Sequence, residues 1–453
     1  MANKNVFSEY TYRFLARFVI EATTPLAIGS GEKDITTDAL VATDVNGLPY
    51  IPGTAIAGVV RSMLIQEGVD PKAFFGFQKK KDGEGSKIIF TEAKILNSKG
   101  KIIDGLNPFE IKNDPLLIAY AELPIRQHVR ICENGAAART GKFDEQVVFA
   151  GTRFCFELEM VAKDEDTTNF EKTIEQVNKR IFRIGSGTRC GFGEIKVIDL
   201  QTKVLNLCEK DQLKQYLDKS SALDSDFWNK EYHAPSVNHD TIGWTEYTLN
   251  IQPEDFFLFG SGFGDDDSDI TPVKTRKVDW ESGVGIMKDK LVLIPATSVK
   301  GAIAHRVAFH WNRLHGYCTG NSNAKIGNEC PAVQALFGFE DQQQKEQNRG
   351  NLIFSDVIVE NRLDDKMLNH VKIDRFTGGA LEGALFSEKV SFGDGQHFTI
   401  TILAKSDVLK KDPYFKKSLE AALNDICHGL LPLGGGVNRG NGVFTGSLTI
   451  NEK

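Results

Sequence analysis

The sequence is short of several features that mark whole classes of protein. It has 7 cysteines in 453 residues, an odd number with no CxxC pair. A disulfide framework is therefore excluded, and a reducing, cytoplasmic setting is expected. No apolar stretch approaches the roughly 18 residues of a membrane span, and MANKNVFSEYTYRF lacks the apolar run of a signal peptide. No membrane association is expected. There is also no excess of positive charge: the formal net charge is −7. That argues against a protein that coats nucleic acid by bulk charge, while leaving room for a local basic groove. What is present is ordinary for a soluble globular protein, with 41% apolar and 25% charged residues. The length exceeds what one hydrophobic core supports and suits two or three domains.

The chain repeats itself. IPGTAIAGVVRS from Ile51 matches IPATSVKGAIAHR from Ile294, with Gly58 and Gly301 in register. FFGF (74–77) matches LFGF (336–339), and KIIFTEAKI (87–95) matches NLIFSDVIV (351–359). HVRI (128–131) matches HVKI (370–373). GSGTRCGFGEIKV from Gly185 matches GGGVNRGNGVFTG from Gly434. Five landmarks in one order define two tandem copies: a first domain over 1–205, a polar linker over 206–244 and a second domain over 245–453. The second copy carries an insertion at 307–335.

Within the first copy, YRFLARFVIEATTPLAIG reads as a long strand, DALVATDVNGLPYI as a strand with a turn at Asn46-Gly47, and KIIFTEAKI as a strand. Pro52 breaks the chain ahead of a helix that Thr54 is placed to cap, and FEKTIEQVNKRIF has helical spacing. Strands and helices in this order fit an α+β, ferredoxin-like core, twice. The glycine-rich stretches lack the Gly-Lys-Ser/Thr ending of a phosphate-binding Walker loop, and they follow a helix where a dinucleotide fingerprint would open one. Two readings remain. One is a helix cap with a tight turn. The other is a bare backbone carrying Arg189 or Arg439 against a phosphate strand, with Gly185, Gly187 and Gly191 in one copy and Gly434, Gly436 and Gly440 in the other.

These Ile-Pro helices and distal glycine loops, taken together, resemble the RAMP superfamily of CRISPR effector proteins, and the backbone subunits of type III complexes in particular. Two such domains in one chain resemble the fused type III-D variants. The resemblance implies RNA-recognition-like cores with thumb hairpins, a crRNA guide and a target RNA as ligands, and a large subunit and other RAMP subunits as partners. It implies an RNA-guided endoribonuclease acting with Mg²⁺. Family position points to Asp38 in the first copy, with Asp34 and Asp44 as neighbours. The second copy departs from the pattern, with a longer stretch ahead of its Ile-Pro, and Asp269, just before the strand-like ITPVKTRKV, is the candidate there among Asp265, Asp266 and Asp267. A carboxylate with a hydrated cation suits cleavage by the RNA's own 2′-hydroxyl. Two alternatives stand beside this: a scaffold that only holds guide RNA, and a standalone nuclease that trims the guide precursor.

The resemblance makes HVRICENGAAARTGKFDEQVVF and HVKIDRFTGGALEGALFSEKVSF the thumbs. Arg126, His128, Arg130, Arg139 and Lys142 in one, and His370, Lys372 and Arg375 in the other, are then phosphate contacts. Arg61 in the first Ile-Pro helix and Lys300 and Arg306 in the second are placed near the guide. HRVAFHWNRLHGYCTGNSNAKIGNECP, which runs from just before the insertion into it, holds His305, His310, His315, Cys318 and Cys330. Zn²⁺ on His315, Cys318 and Cys330 is one reading, and loop histidines with free thiols the other.

Overall fold

The computed structural model describes residues 9–34, 37–79, 82–132, 135–228, 242–318, 320–341, 346–361, 363–393 and 395–452. Each half of the chain runs βαββαβ. The first half comprises β1 (Tyr12–Ala22), α1 (Gly53–Gln66), β2 (Ile88–Phe90), β3 (Arg153–Ala162), α2 (Thr168–Asn178) and β4 (Ile195–Asn206). The second comprises β5 (Trp244–Pro253), α3 (Ala296–Leu314), β6 (Leu352–Phe354), β7 (Phe398–Lys405), α4 (Pro413–Cys427) and β8 (Phe444–Glu452). The sheets run β2-β3-β1-β4 and β6-β7-β5-β8, with every pairing antiparallel. That common order is the ferredoxin-like arrangement expected from the sequence. No helix of the described residues is long and apolar enough to cross a membrane.

Several local expectations change. Pro52 itself occupies the N-cap of α1, and no side chain caps that helix. Thr54 therefore lies inside the first turn. KIIFTEAKI divides into β2 and a two-residue strand at Lys94–Ile95. DALVATDVNGLPYI makes only isolated bridges, Gly29↔Val41, Ala39↔Glu145, Thr43↔Pro49 and Ile51↔Ala93. The Asp44 carboxylate accepts from the backbone N–H of Asn46 and of Leu48, which closes the turn early. The 307–335 insertion is not a free loop. α3 uses its first residues to run to Leu314, and a short helix, Pro331–Phe337, packs its apolar side into the second core.

The described first part of the stretch read as a linker, 206–228, is also built into the first half, while 229–241 lie outside the described residues. β1 is apolar on both faces, and Phe14, Phe18 and Ile20 pack with Ile56, Val60 and Phe170 of the two helices. Its opposite face needs a cover. Leu15 packs with Leu205 and Trp228, and Val19 with Leu96, Cys155 and Leu223. The Trp228 indole donates to Glu157 Oε1 at 2.6 Å. Lys210–Leu217 forms a helix within the same segment.

The halves meet head to tail. Arg126 of the first contacts Asp356 of the second at 2.5 Å, with side chains only 9% and 2% exposed. The other Asp356 oxygen accepts from Ala296 N, at the start of α3, at 2.8 Å. Ser355 Oγ donates to Glu194 at 2.7 Å, and Trp280 donates to the Gly151 carbonyl at 2.8 Å. Gly151, with φ +81°, is required there, because a Cβ would sit 1.9 Å from Val278 O.

Candidate nucleic-acid interface

Two long hairpins stand off the sheets where the thumbs were expected. Ile125–Ile131 pairs with Ala137–Gln146, and Asp364–Ile373 with Ala380–Phe392. Their roots match. His128 stacks on Phe143 with ring centres 4.6 Å apart, and His370 stacks on Phe386 at 4.8 Å. His370 Nε2 bonds Glu388 Oε1 at 2.9 Å. His128 Nε2 lies 2.9 Å from Glu145 Oε1, off the line of a hydrogen bond. Each histidine is thus held within its own hairpin by an aromatic ring and a carboxylate.

Both singled-out aspartates sit at these roots. Asp38 N donates to the Asp144 carbonyl at 3.2 Å, and Asp144 N returns a bond to Asp38 Oδ2 at 3.1 Å. In the second copy Asp269 N donates to the Ser387 carbonyl at 3.1 Å, and Ser387 N returns a bond to Asp269 Oδ2 at 2.8 Å. Asp144 and Ser387 each stand one residue after the stacked phenylalanine and one before the paired glutamate. The two acids therefore occupy equivalent places, and both are exposed. Their neighbours have other work. Asp44 closes its turn, while Lys389 pairs with Asp265 at 2.5 Å and with Asp267 at 3.5 Å.

All eight singled-out loop glycines, counting Gly193 and Gly442, have positive φ. For seven of them a Cβ would come within 3.0 Å of protein atoms. Gly185 and Gly434 close on the carbonyls of Ala27 and Leu258, and Gly193 and Gly442 on those of Ile184 and Leu433. The close approach these glycines permit is in the first place to the chain itself. Only Gly440 faces open space.

The basic residues divide. Arg61, Arg130, Arg139, Lys142, Lys372 and Arg375 are exposed, with the Lys142 ammonium 5.7 Å from the Phe263 ring centre. Arg126, Arg306 and Arg439 are not free cations. They pair with Asp356, Asp425 and Glu388 respectively, because each is drawn in beside a buried carboxylate. Bonds from Arg439 and His370 hold the Glu388 carboxyl below its usual range against the opposing effect of burial. Lys300 lies 3.5 Å from Cys190 Sγ, on the first glycine loop, and Arg189 sits over the Trp244 ring at 5.2 Å. Sequence reasoning missed Arg183 and Arg349, which join Arg189 at the junction; nothing in their local spacing marks them.

The residues named for zinc are not brought together. Cys330 is fully buried in the second core, Cys318 is exposed, and the His315 ring bonds the Trp311 carbonyl and stacks near Tyr317 and Tyr414. His310 Nε2 instead bonds Asp425 at 2.7 Å, and Arg313 donates to its Nδ1 at 3.3 Å. Among the described residues no group of three His, Cys, Asp or Glu side chains is placed to hold a metal ion. All 7 cysteines are free.

No curated protein matches the sequence. A family model does: the RAMP superfamily model matches residues 19–196 and again 270–445. Those two spans take in α1 and α3, both hairpins and both glycine loops, and by them the chain belongs to the RAMP superfamily, carrying its domain twice.

Proposed function

We propose that the chain is a crRNA-binding backbone subunit of a type III CRISPR ribonucleoprotein, of the fused III-D kind, that cuts complementary target RNA at two positions. Family membership supports a CRISPR-associated RNA-binding subunit that works with other CRISPR proteins. The observation that carries the cutting role is the equivalence of Asp38 and Asp269, each exposed at a hairpin root. In this reading the hairpins part the guide–target duplex and turn one target nucleotide out of the stack. Its 2′-oxygen then lies in line with the neighbouring phosphorus. The carboxylate takes the 2′ proton, the O2′–P bond forms and the P–O5′ bond breaks as solvent water protonates O5′, leaving a cyclic phosphate and a 5′-hydroxyl.

A lone exposed carboxylate in each copy suits a hydrated Mg²⁺ shared with phosphate oxygens better than an ion caged by protein. Bound there by Asp38 or Asp269, Mg²⁺ would supply charge stabilisation to the phosphate. Zn²⁺ finds no such donor set on His315, Cys318 and Cys330.

The test is target cleavage by the assembled complex. Asp38→Ala removes one cut, Asp269→Ala the other, and target binding is retained. Unchanged cutting in the double variant rejects this role and leaves a scaffold that holds guide RNA. Cutting of guide precursor by the chain alone points to the processing nuclease.

A further inference from the structure

Arg189 is an anomalous cation. It lies on the first glycine loop, and its Nε and Nη1 are shielded from solvent with no hydrogen-bond partner among the described residues. No described carboxylate pairs with it. The charges that bear on it are two more guanidiniums, Arg183 from the same loop's approach and Arg349 from the second repeat. Burial and these neighbours pull its pKa down to about 9, so it remains a cation at neutral pH. Trp244 covers one face at 5.2 Å. A ring stabilises a guanidinium through its flat face, which leaves the N–H edge unsatisfied.

The neighbours do not remedy this. Glu194, 2.7 Å from Arg183 Nη1, is also shared with Ser355. Arg349 donates to the Thr188 hydroxyl at 2.9 Å and is exposed, at the rim. A shielded, like-charged group of this kind is strongly unfavourable unless an anion completes it.

We infer that Arg189, with Arg349 and Arg183, forms a seat for one phosphate-type oxyanion at the junction of the two repeats. Planar guanidinium edges match tetrahedral phosphate oxygens in pairs, which an ammonium does not do. Neither repeat holds the seat alone, since Arg349 comes from the second and the others from the first. Two sources share this chemistry: a phosphodiester of a bound RNA strand, which rests on the function proposed above, and free inorganic phosphate, which does not.

The experiment uses the full chain, wild type beside Arg189→Gln and Arg349→Gln. Melting temperature is followed as chloride is replaced by inorganic phosphate at constant ionic strength. Binding of a fluorescent single-stranded RNA is followed across a salt series. Phosphate is expected to raise the wild-type melting temperature and to leave both variants unmoved. RNA affinity should fall about tenfold at low salt in Arg189→Gln, with the salt slope reduced by about 0.7, the share of one phosphate contact on a single strand. Loss of the phosphate response with unchanged RNA binding still supports the seat and assigns it to free phosphate, even if the chain binds no RNA at all. A wild type indifferent to phosphate, together with variants that bind RNA as wild type does, overturns the seat while leaving the RNA-binding reading intact. Arg349→Gln, at the exposed rim, keeps the test open should the Arg189 variant fold poorly. Arg189→Met adds a check without any ligand: removing an uncompensated buried charge should raise the melting temperature in phosphate-free buffer.

Discussion

Arg126 and Asp356, more than two hundred residues apart in the chain, form one buried ion pair that also caps α3 through the backbone N–H of Ala296. Burial raises the Asp356 carboxyl above its usual range, against the pull of Arg126. The pair therefore holds its geometry at an electrostatic disadvantage. Removing one partner leaves the other charge stranded. Arg126→Ala or Asp356→Ala is expected to destabilise the chain by about 3–5 kcal/mol in denaturant titration. The charge-free pair Arg126→Met with Asp356→Leu should recover most of that loss. If the single variants unfold like wild type, the junction is not held here.

The glycine loops give a sharper contrast. Gly193→Ala and Gly442→Ala each force a Cβ to within 2.4 Å and 2.0 Å of a carbonyl oxygen, at positive φ. Each should lose more than about 2 kcal/mol of stability. Gly440→Ala meets open space and carries only the left-handed backbone strain, about 1 kcal/mol. Thermal melts of the three variants separate a packing role from a purely conformational one.

His310 provides a pH signature. Burial lowers its pKa from 6.5, outweighing the Asp425 carboxylate, which already has Arg306. The bond from Arg313 to Nδ1 requires a lone pair there, so the ring is neutral with its proton on Nε2. The folded chain holds a second proton on this ring less tightly than the unfolded chain does. Its contribution is complete above about pH 6.5 and is lost as pH falls below that value. Melting temperature should drop between pH 7 and 5.5, and His310→Gln should flatten that part of the profile.

The 206–228 segment is expected to behave as part of the first domain. Trp228→Ala exposes the back of β1 and removes the bond to Glu157, at a cost of about 3–5 kcal/mol. A true linker residue would change stability by less than about 0.5 kcal/mol.

The repeats, the strand order and the hairpins were legible because each rests on local pattern: the Ile-Pro helix start, the glycine spacing, the HVRI and HVKI strands. Asp269 was singled out by its place before a strand-like segment, and it holds in the second repeat the position that Asp38 holds in the first. The back cover of β1 was half legible. YRFLARFVIEA carries apolar side chains on both faces, and such a strand must be covered twice; Leu223 and Trp228 were the apolar residues available in a polar stretch. The glycines were found, with a tight turn as one of two readings, but not the atoms they close on, since a carbonyl such as Ile184 O that meets a missing Cβ leaves no mark in sequence. Nor did anything local join Arg126 to Asp356 or Arg189 to Arg349, because ion pairs and guanidinium clusters between distant segments have no period.

Gly191 is filled and Gly440 is empty. Against Gly191 stand the Asp356 carboxylate and the Ala296 methyl of the following repeat. The corresponding corner of the second repeat meets nothing, and at the other extremity Glu92, aligned with Asp356, is exposed. The molecule thus has a leading and a trailing extremity of different character, like a bar magnet. Contacts of unlike surfaces do not close on themselves in a twofold pair, and units so joined propagate in one direction.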